Sequence, residues 1–121
     1  MQKVLIVDDD EDFLKIIKKS LTSIGFTIII KADANNIMSE IRDGKPDAIV
    51  LDINLPFTDG RYLAKCIRAL KSYNHIPVIM ISGMEMKDNP VKDIPRAVFL
   101  KKPFSTVKLA TVLTEVLPAA G

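Results

Sequence analysis

The sequence has few of the residues that build disulfide or metal scaffolds. It contains one cysteine, Cys66, and one histidine, His75, so an internal disulfide and any multi-cysteine zinc or iron–sulfur site are excluded. A chain without disulfides suits a reducing compartment, and we expect it in the cytoplasm. Long hydrophobic runs are also lacking, because the N-terminal run at residues 4–7 ends in acids. We therefore predict neither a signal peptide nor a membrane span.

An excess of charge of one sign is lacking as well. The 17 lysines and arginines nearly balance the 15 aspartates and glutamates. The lysines are scattered along the chain, and the aromatic residues, at 6%, are not interleaved with them. This composition argues against direct binding to nucleic acid or to a membrane. Hydrophobic residues make up 48% of the chain, which is enough for the core of a single domain spanning residues 1–121.

Short apolar runs recur along the chain and predict five strands. Each run is continuous rather than alternating, which is typical of strands buried on both faces of a parallel sheet. Segments with helical spacing of apolar residues separate the runs. The alternation of strand and helix predicts an α/β fold, with a five-stranded parallel sheet and helices on both of its faces. The runs lie at residues 4–7, 27–30, 48–51, 78–81 and 97–100.

The segment between the fourth and fifth runs departs from this pattern. It carries Pro90 and Pro95, and residues 84–94 show little helical periodicity. Proline costs about 3 kcal/mol inside a helix, because it lacks the backbone N–H and its ring clashes with the preceding turn. We therefore predict that the fourth helix is short or irregular.

Polar side chains follow four of the runs directly. In an open parallel sheet all carboxyl ends meet at one edge, and ligands bind where the strand order reverses. With the order 2-1-3-4-5 the reversal falls between the first and third strands, so we expect Asp9 and Asp52 to face each other. The strand-end residues are Asp8, Asp9, Asp52, Ser82, Lys101 and Lys102.

The strand-end acids predict a metal site. Carboxylates brought this close repel one another, so the cluster should keep a proton or recruit a cation. Mg²⁺ accepts oxygen ligands and is commonly held by one or two carboxylates plus a phosphate, and Mn²⁺ is an alternative. With a metal in place, Asp52 can act as a nucleophile toward phosphorus. Ser82 and a lysine after the fifth strand would then bind the remaining oxygens of the transferred group.

Four segments resemble the receiver domains of two-component response regulators. Their order and spacing agree with that family over essentially the whole chain, which makes the combination far more specific than any single motif. The resemblance implies a doubly wound, flavodoxin-like fold. The segments are Val7-Asp8-Asp9, residues 51–56 with Asp59-Gly60 following, Ser82-Gly83, and Lys102-Pro103-Phe104.

The resemblance implies a phosphoacceptor site with a bound metal. Asp52 would accept the phosphoryl group. Asp9 and Asp52 would ligate Mg²⁺ directly together with the carbonyl of Asn54, whereas Asp8 would act through a bound water. Lys102, rather than Lys101, matches the lysine that precedes the proline.

A conformational switch is also implied by the resemblance. Ser82 would move toward the phosphoryl group, and Phe99 matches the aromatic residue that then turns inward. Such a pair converts a local electrostatic event into a change between two states.

The partners implied by the resemblance are other signalling proteins. A sensor histidine kinase or a histidine phosphotransfer protein would donate the phosphoryl group, and an unidentified partner or domain would carry the output. Homodimerisation is an open alternative, as is the choice between a stand-alone protein and part of a longer regulator. The chain would not be a conventional enzyme, although it would catalyse its own phosphorylation and dephosphorylation.

Three other interpretations compete with this one. A scaffold that keeps the fold without phosphoryl transfer would not need every reactive residue, and all are present. A phosphohydrolase with Asp8 as nucleophile needs a second acid two residues later and then a threonine or serine. Here Asp8 and Asp10 are followed by Asp12 instead. A calcium loop over these acids fails, because Phe13 and Lys19 stand where glycine and glutamate are required.

Overall fold

The apolar runs form parallel strands at the centre of the fold. The computed structural model of the protein describes residues 2–118. Five strands form the main sheet in the order β2-β1-β3-β6-β7, and every neighbouring pair is parallel. Counted alone, these five strands have the predicted order 2-1-3-4-5, which is confirmed. The strands of the described chain are β1 (Lys3–Val7), β2 (Thr27–Lys31), β3 (Ala48–Asp52), β4 (Asn54–Leu55), β5 (Thr58–Asp59), β6 (Val78–Ser82) and β7 (Ala97–Lys101).

Helices cover both faces of the sheet, as predicted. Alternate residues of β1 enter different cores, since Ile6 packs among residues of the first and last helices and Leu5 among residues of the two middle helices. Among residues 2–118, every helix is too short or too polar to cross a bilayer. The helices are α1 (Glu11–Ile24), α2 (Ile37–Gly44), α3 (Gly60–Ala69) and α4 (Thr106–Val116).

The start of α1 fixes the residues at the end of β1. The Asp10 side chain caps the helix by accepting a hydrogen bond from the backbone N–H of Phe13 at 3.1 Å. The helix ends at Gly25, whose φ of 116° lies in the left-handed region that glycine adopts without strain. Because α1 begins so soon after β1, Asp8 and Asp9 are confined to a short connection at the carboxyl edge of the sheet.

No α-helix forms between β6 and β7 within the described chain. Residues 83–96, which we call the helix-free segment, consist of turns and bends. Their apolar side chains still reach the core, because Ile94 is buried and Met86 and Val91 are partly buried against the α2–α3 face. The predicted irregularity is confirmed, and it extends further than expected, because turns replace the helix entirely. Pro90 and Pro95 account for this, since neither supplies a helical N–H.

Candidate functional site

Three carboxylates meet at the carboxyl ends of β1 and β3. Asp8 and Asp9 follow β1, and Asp52 is the last residue of β3. One carboxylate oxygen from each residue lies within 4.8 Å of the other two. Asp8 is fully buried and Asp52 is only 4% exposed, whereas Asp9 faces solvent. The structure therefore brings together the acids that the sequence singles out, at the edge where the strand order reverses.

The environment of Asp52 opposes its ionisation. Burial is the largest effect and raises the pKa of the Asp52 carboxyl above its ordinary value, and the negative charges of Asp8 and Asp9 add to this. The backbone N–H of Asn54, which donates to Asp52 Oδ1 at 3.0 Å, and the ammonium of Lys102 lower the pKa. The net shift is upward, because burial and the neighbouring acids outweigh these two effects.

Lys102 is the basic residue of the cluster. Its Nζ donates to Asp8 Oδ2 at 2.6 Å and lies 3.9 Å from Asp52 Oδ2. The ammonium also sits 5.0 Å from the centre of the Phe13 ring, which in turn packs edge-on against Phe104. The Phe13 ring thus packs against the lysine ammonium, and Phe104 packs against Phe13. Lys102 precedes a cis peptide bond to Pro103.

Lys101 lies outside this cluster. It is exposed and forms an ion pair with Glu85 in the helix-free segment. Lys101 is the last residue of β7, whereas Lys102 follows the strand. Of these two lysines, the structure brings Lys102 to the acids and leaves Lys101 paired with Glu85.

Ser82 ends β6 beside the acids and is fully buried. Its Oγ–H donates to Oδ1 of Asn54, and its Oγ accepts a hydrogen bond from the backbone N–H of Met84 at 3.0 Å. Phe99 lies in the neighbouring strand β7, where it pairs with Met80 and is partly buried against the α2–α3 core. The structure thus places the hydroxyl at the site and the aromatic ring partway into the core.

The connection from β3 to α3 carries features that sequence reasoning missed. The short strands β4 and β5 form an antiparallel hairpin directly after Asp52. Gly60 packs so closely on β3 that a Cβ there would collide with the carbonyl oxygen of Asp52. At the hairpin tip, Phe57 is fully exposed and has a φ of 62°. The sequence indicated neither this hairpin nor the contact from Asn54 to Ser82.

Comparison with known proteins decides the family. The family model described as response regulator receiver domain matches residues 4–114. The chain belongs to this family. As a receiver domain of two-component response regulators it has a phosphoacceptor function in signalling, and the predicted family and fold are confirmed. Members of the family are not conventional enzymes; they bind Mg²⁺ and act with histidine kinases and output domains.

Two curated relatives differ in how much of their own length the match to this chain covers. The transcriptional regulatory protein PrrA of Mycobacterium tuberculosis is 32% identical over 121 residues, which cover 98% of this chain and 51% of PrrA. The chemotaxis protein CheY of Pseudomonas aeruginosa is 32% identical over 106 residues, which cover 85% of this chain and 86% of CheY. The chain therefore spans about half the length of its PrrA relatives.

A solved structure agrees with the receiver fold along almost the whole chain. The chemotaxis response regulator CheY4 of Vibrio cholerae superposes with a TM-score of 0.87 at 27% identity. The match covers 97% of this chain and 99% of CheY4. The receiver fold is thus retained although turns replace the helix between β6 and β7.

Proposed function

We propose that this receiver domain accepts a phosphoryl group on Asp52 from a sensor histidine kinase or a histidine phosphotransfer protein. The observation that carries the proposal is the position of Asp52 at a strand end, buried beside two further acids and within 3.9 Å of a lysine ammonium. Burying a carboxylate is costly unless a cation or hydrogen bonds compensate it, so such a cluster is retained for chemistry rather than for stability.

The donor set fits a divalent cation. Three carboxylates and one ammonium leave two negative charges, and oxygen ligands alone suit Mg²⁺, with Mn²⁺ as the alternative. Asp9, Asp52 and the carbonyl of Asn54 would hold the ion. Asp8 would act through a water, and its two oxygens accept hydrogen bonds from Lys102 and from the backbone N–H of Asp10. When bound, the ion neutralises the charge on the oxygens of the phosphoryl group.

The residues of the chain position both reactants. An oxygen of the Asp52 carboxylate forms a bond to phosphorus while the bond from phosphorus to the donor imidazole breaks. The electron pair of that bond stays on the imidazole nitrogen, which takes up a proton from water. Lys102 and the Ser82 hydroxyl would bind oxygens of the transferred group, and movement of Ser82 would be coupled to Phe99.

The proposal includes dephosphorylation by the domain itself. A water attacks phosphorus, the bond to the Asp52 oxygen breaks, and the carboxylate is regenerated with release of inorganic phosphate and a proton. We treat residues 1–121 as one receiver domain that acts in the cytoplasm, where its single cysteine stays reduced. Its output is carried by a fused domain, a separate partner or a second copy of the chain.

A small phosphodonor tests this proposal. The protein is incubated with Mg²⁺ and acetyl phosphate, and phosphate release and the covalent adduct are followed for the wild type and for Asp52→Asn. We expect an adduct and slow phosphate release that both require Mg²⁺ and Asp52. A pure scaffold would show neither. A phosphohydrolase acting through Asp8 would release phosphate even in Asp52→Asn, and either result would refute the proposal.

A further inference from the structure

The single donor proton of the buried Ser82 hydroxyl is already engaged. The hydroxyl proton is donated to Oδ1 of Asn54, and the oxygen accepts the backbone N–H of Met84. A hydroxyl has a single proton to donate. It therefore cannot bind the Asn54 amide and a phosphoryl oxygen at the same time, and engagement of the phosphoryl group requires that the contact to Asn54 break.

We propose that the Asn54 side chain is a positioning residue that holds Ser82 in place before phosphorylation and thereby sets the strength of the switch. This inference rests on the proposed function, in which Ser82 moves toward the phosphoryl group. Asn54 contacts Ser82 across 28 positions of the chain. The hydrogen bond between the Ser82 hydroxyl and the Asn54 side chain, which we call the lock, therefore joins the β3–α3 connection to the end of β6.

The backbone of Asn54 ties this lock to the phosphoacceptor. Its N–H donates to Asp52 Oδ1 at 3.0 Å, so one residue contacts the acceptor carboxylate through its backbone and the switch hydroxyl through its side chain. The surrounding backbone is fixed, because Ile53 N–H donates to the carbonyl of Ile81 at 2.9 Å and Gly60 N–H donates to the carbonyl of Ile53 at 2.9 Å. These hydrogen bonds fix the main chain from which the Asn54 side chain extends to Ser82.

The solvent exposure of Asn54 keeps the lock weak enough to open. Ser82 is fully buried, whereas Asn54 is exposed, so water replaces the hydroxyl as partner of the amide when the contact breaks. The net contribution of a hydrogen bond exchanged in this way corresponds to a factor of about three to ten in an equilibrium constant. Removing the amide should therefore favour the switched state by about that factor.

Titration with beryllium fluoride, which mimics a bound phosphoryl group, tests the lock. Calorimetry in the presence of Mg²⁺ compares the wild type with Asn54→Ala, which keeps the backbone carbonyl and N–H at this position. We expect Asn54→Ala to bind beryllium fluoride about threefold to tenfold more tightly. In the unliganded variant, the ¹⁵N–¹H signal of Met84 should move partway toward its position in the beryllium fluoride complex, which a merely structural role would not produce.

A double-mutant cycle isolates the contact between the two side chains. In a Ser82→Ala background no hydroxyl is present to be held, so the additional change Asn54→Ala should leave the affinity unchanged within about twofold. Met84→Ala serves as the matched control, because it truncates an exposed side chain next to Ser82 but keeps the backbone N–H. This control should match the wild type.

The outcomes separate the lock from the proposed function. If Asn54→Ala binds no more tightly than the wild type, or gains equally in the Ser82→Ala background, the lock is refuted while phosphoacceptance at Asp52 stands. If the wild type fails to bind beryllium fluoride, or binds it no better than Asp52→Asn, both proposals are refuted. Thermal unfolding of each variant verifies that it is folded before titration.

Discussion

The carboxylate of Asp52 lies where burial and two neighbouring acids oppose its negative charge. A substitution that removes this charge but keeps the shape should stabilise the metal-free protein. We expect Asp52→Asn to raise the free energy of unfolding near neutral pH, because the amide carries no charge for burial and the two neighbouring acids to oppose. Thermal unfolding in the presence of a chelator measures this, with the exposed Asp93→Asn as control. A less stable Asp52→Asn protein would contradict the account.

The same residue predicts how stability depends on pH. Because the pKa of Asp52 is higher in the folded than in the unfolded state, the folded protein binds more protons between the two pKa values. The stability contributed by this group is fully present below the unfolded-state pKa and is lost as pH rises through the folded-state pKa. Denaturant unfolding at a series of pH values should show a decline in this window for the wild type that is absent in Asp52→Asn. Equal slopes for the two proteins would refute the prediction.

Phe57 combines a left-handed backbone with a fully exposed ring. The left-handed region costs a non-glycine residue roughly 1–2 kcal/mol, and no packing of the ring offsets it here. We expect Phe57→Gly to raise the free energy of unfolding by about 0.5–1 kcal/mol, after allowing for the entropy of glycine in the unfolded chain. Phe57→Ala removes the ring but keeps the strain, so it should not stabilise. Equal effects of the two substitutions, measured by denaturant unfolding, would show that the backbone is not the cause.

Among the elements, the helix-free segment is joined to α3 by the side chain of Arg68. Arg68 donates to the carbonyl of Pro95 at 2.6 Å, to that of Arg96 at 3.4 Å and to that of Asn74 at 3.0 Å. It thereby joins the end of the helix-free segment to the loop after α3. Hydrogen bonds from a charged group to backbone carbonyls are stronger than neutral ones, so this arginine replaces part of the order that a helix would supply.

We expect Arg68→Ala to lower the free energy of unfolding by about 2 kcal/mol, because it removes the hydrogen bonds of a charged group to three backbone carbonyls. Amide hydrogen exchange should accelerate over residues 84–96 while β6 stays protected. Arg61→Ala is the matched control, since Arg61 is on the same helix but pairs with the half-exposed Asp59, a contact worth less than about 1 kcal/mol. Unchanged exchange in Arg68→Ala would show that the segment is ordered by its apolar contacts alone.

At the scale of the whole molecule, the strands could be predicted because each apolar run is continuous, whereas their order comes from the doubly wound fold class. Strands buried on both faces of a parallel sheet require such runs. The polar residues that follow them meet because all carboxyl ends of the parallel strands lie at one edge of the sheet. The loss of the helix between β6 and β7 could be anticipated from Pro90 and Pro95 for an equally local reason. Local propensity and hydrophobic pattern therefore account for the strands and for the missing helix between β6 and β7.

The side-chain contacts within the site could not be predicted in this way. The hydrogen bond from Ser82 to Asn54 and the packing of Lys102 over Phe13 join segments that are far apart in sequence. Such contacts depend on rotamers and on the register between packed elements, which residue types alone do not determine. The motif indicated that Ser82 and Lys102 lie near Asp52, but only the folded structure shows what each side chain contacts.

The location of the phosphoryl group is the measurement that tests the central claim most directly. After reaction with acetyl phosphate and Mg²⁺, peptide mass spectrometry locates the adduct along the chain, with Asp52→Asn and a sample treated with chelator as controls. The account predicts one phosphoryl group on the peptide that contains Asp52 and none in either control. A phosphoryl group on the peptide containing Asp8 and Asp9, or an unchanged adduct in Asp52→Asn, would contradict it.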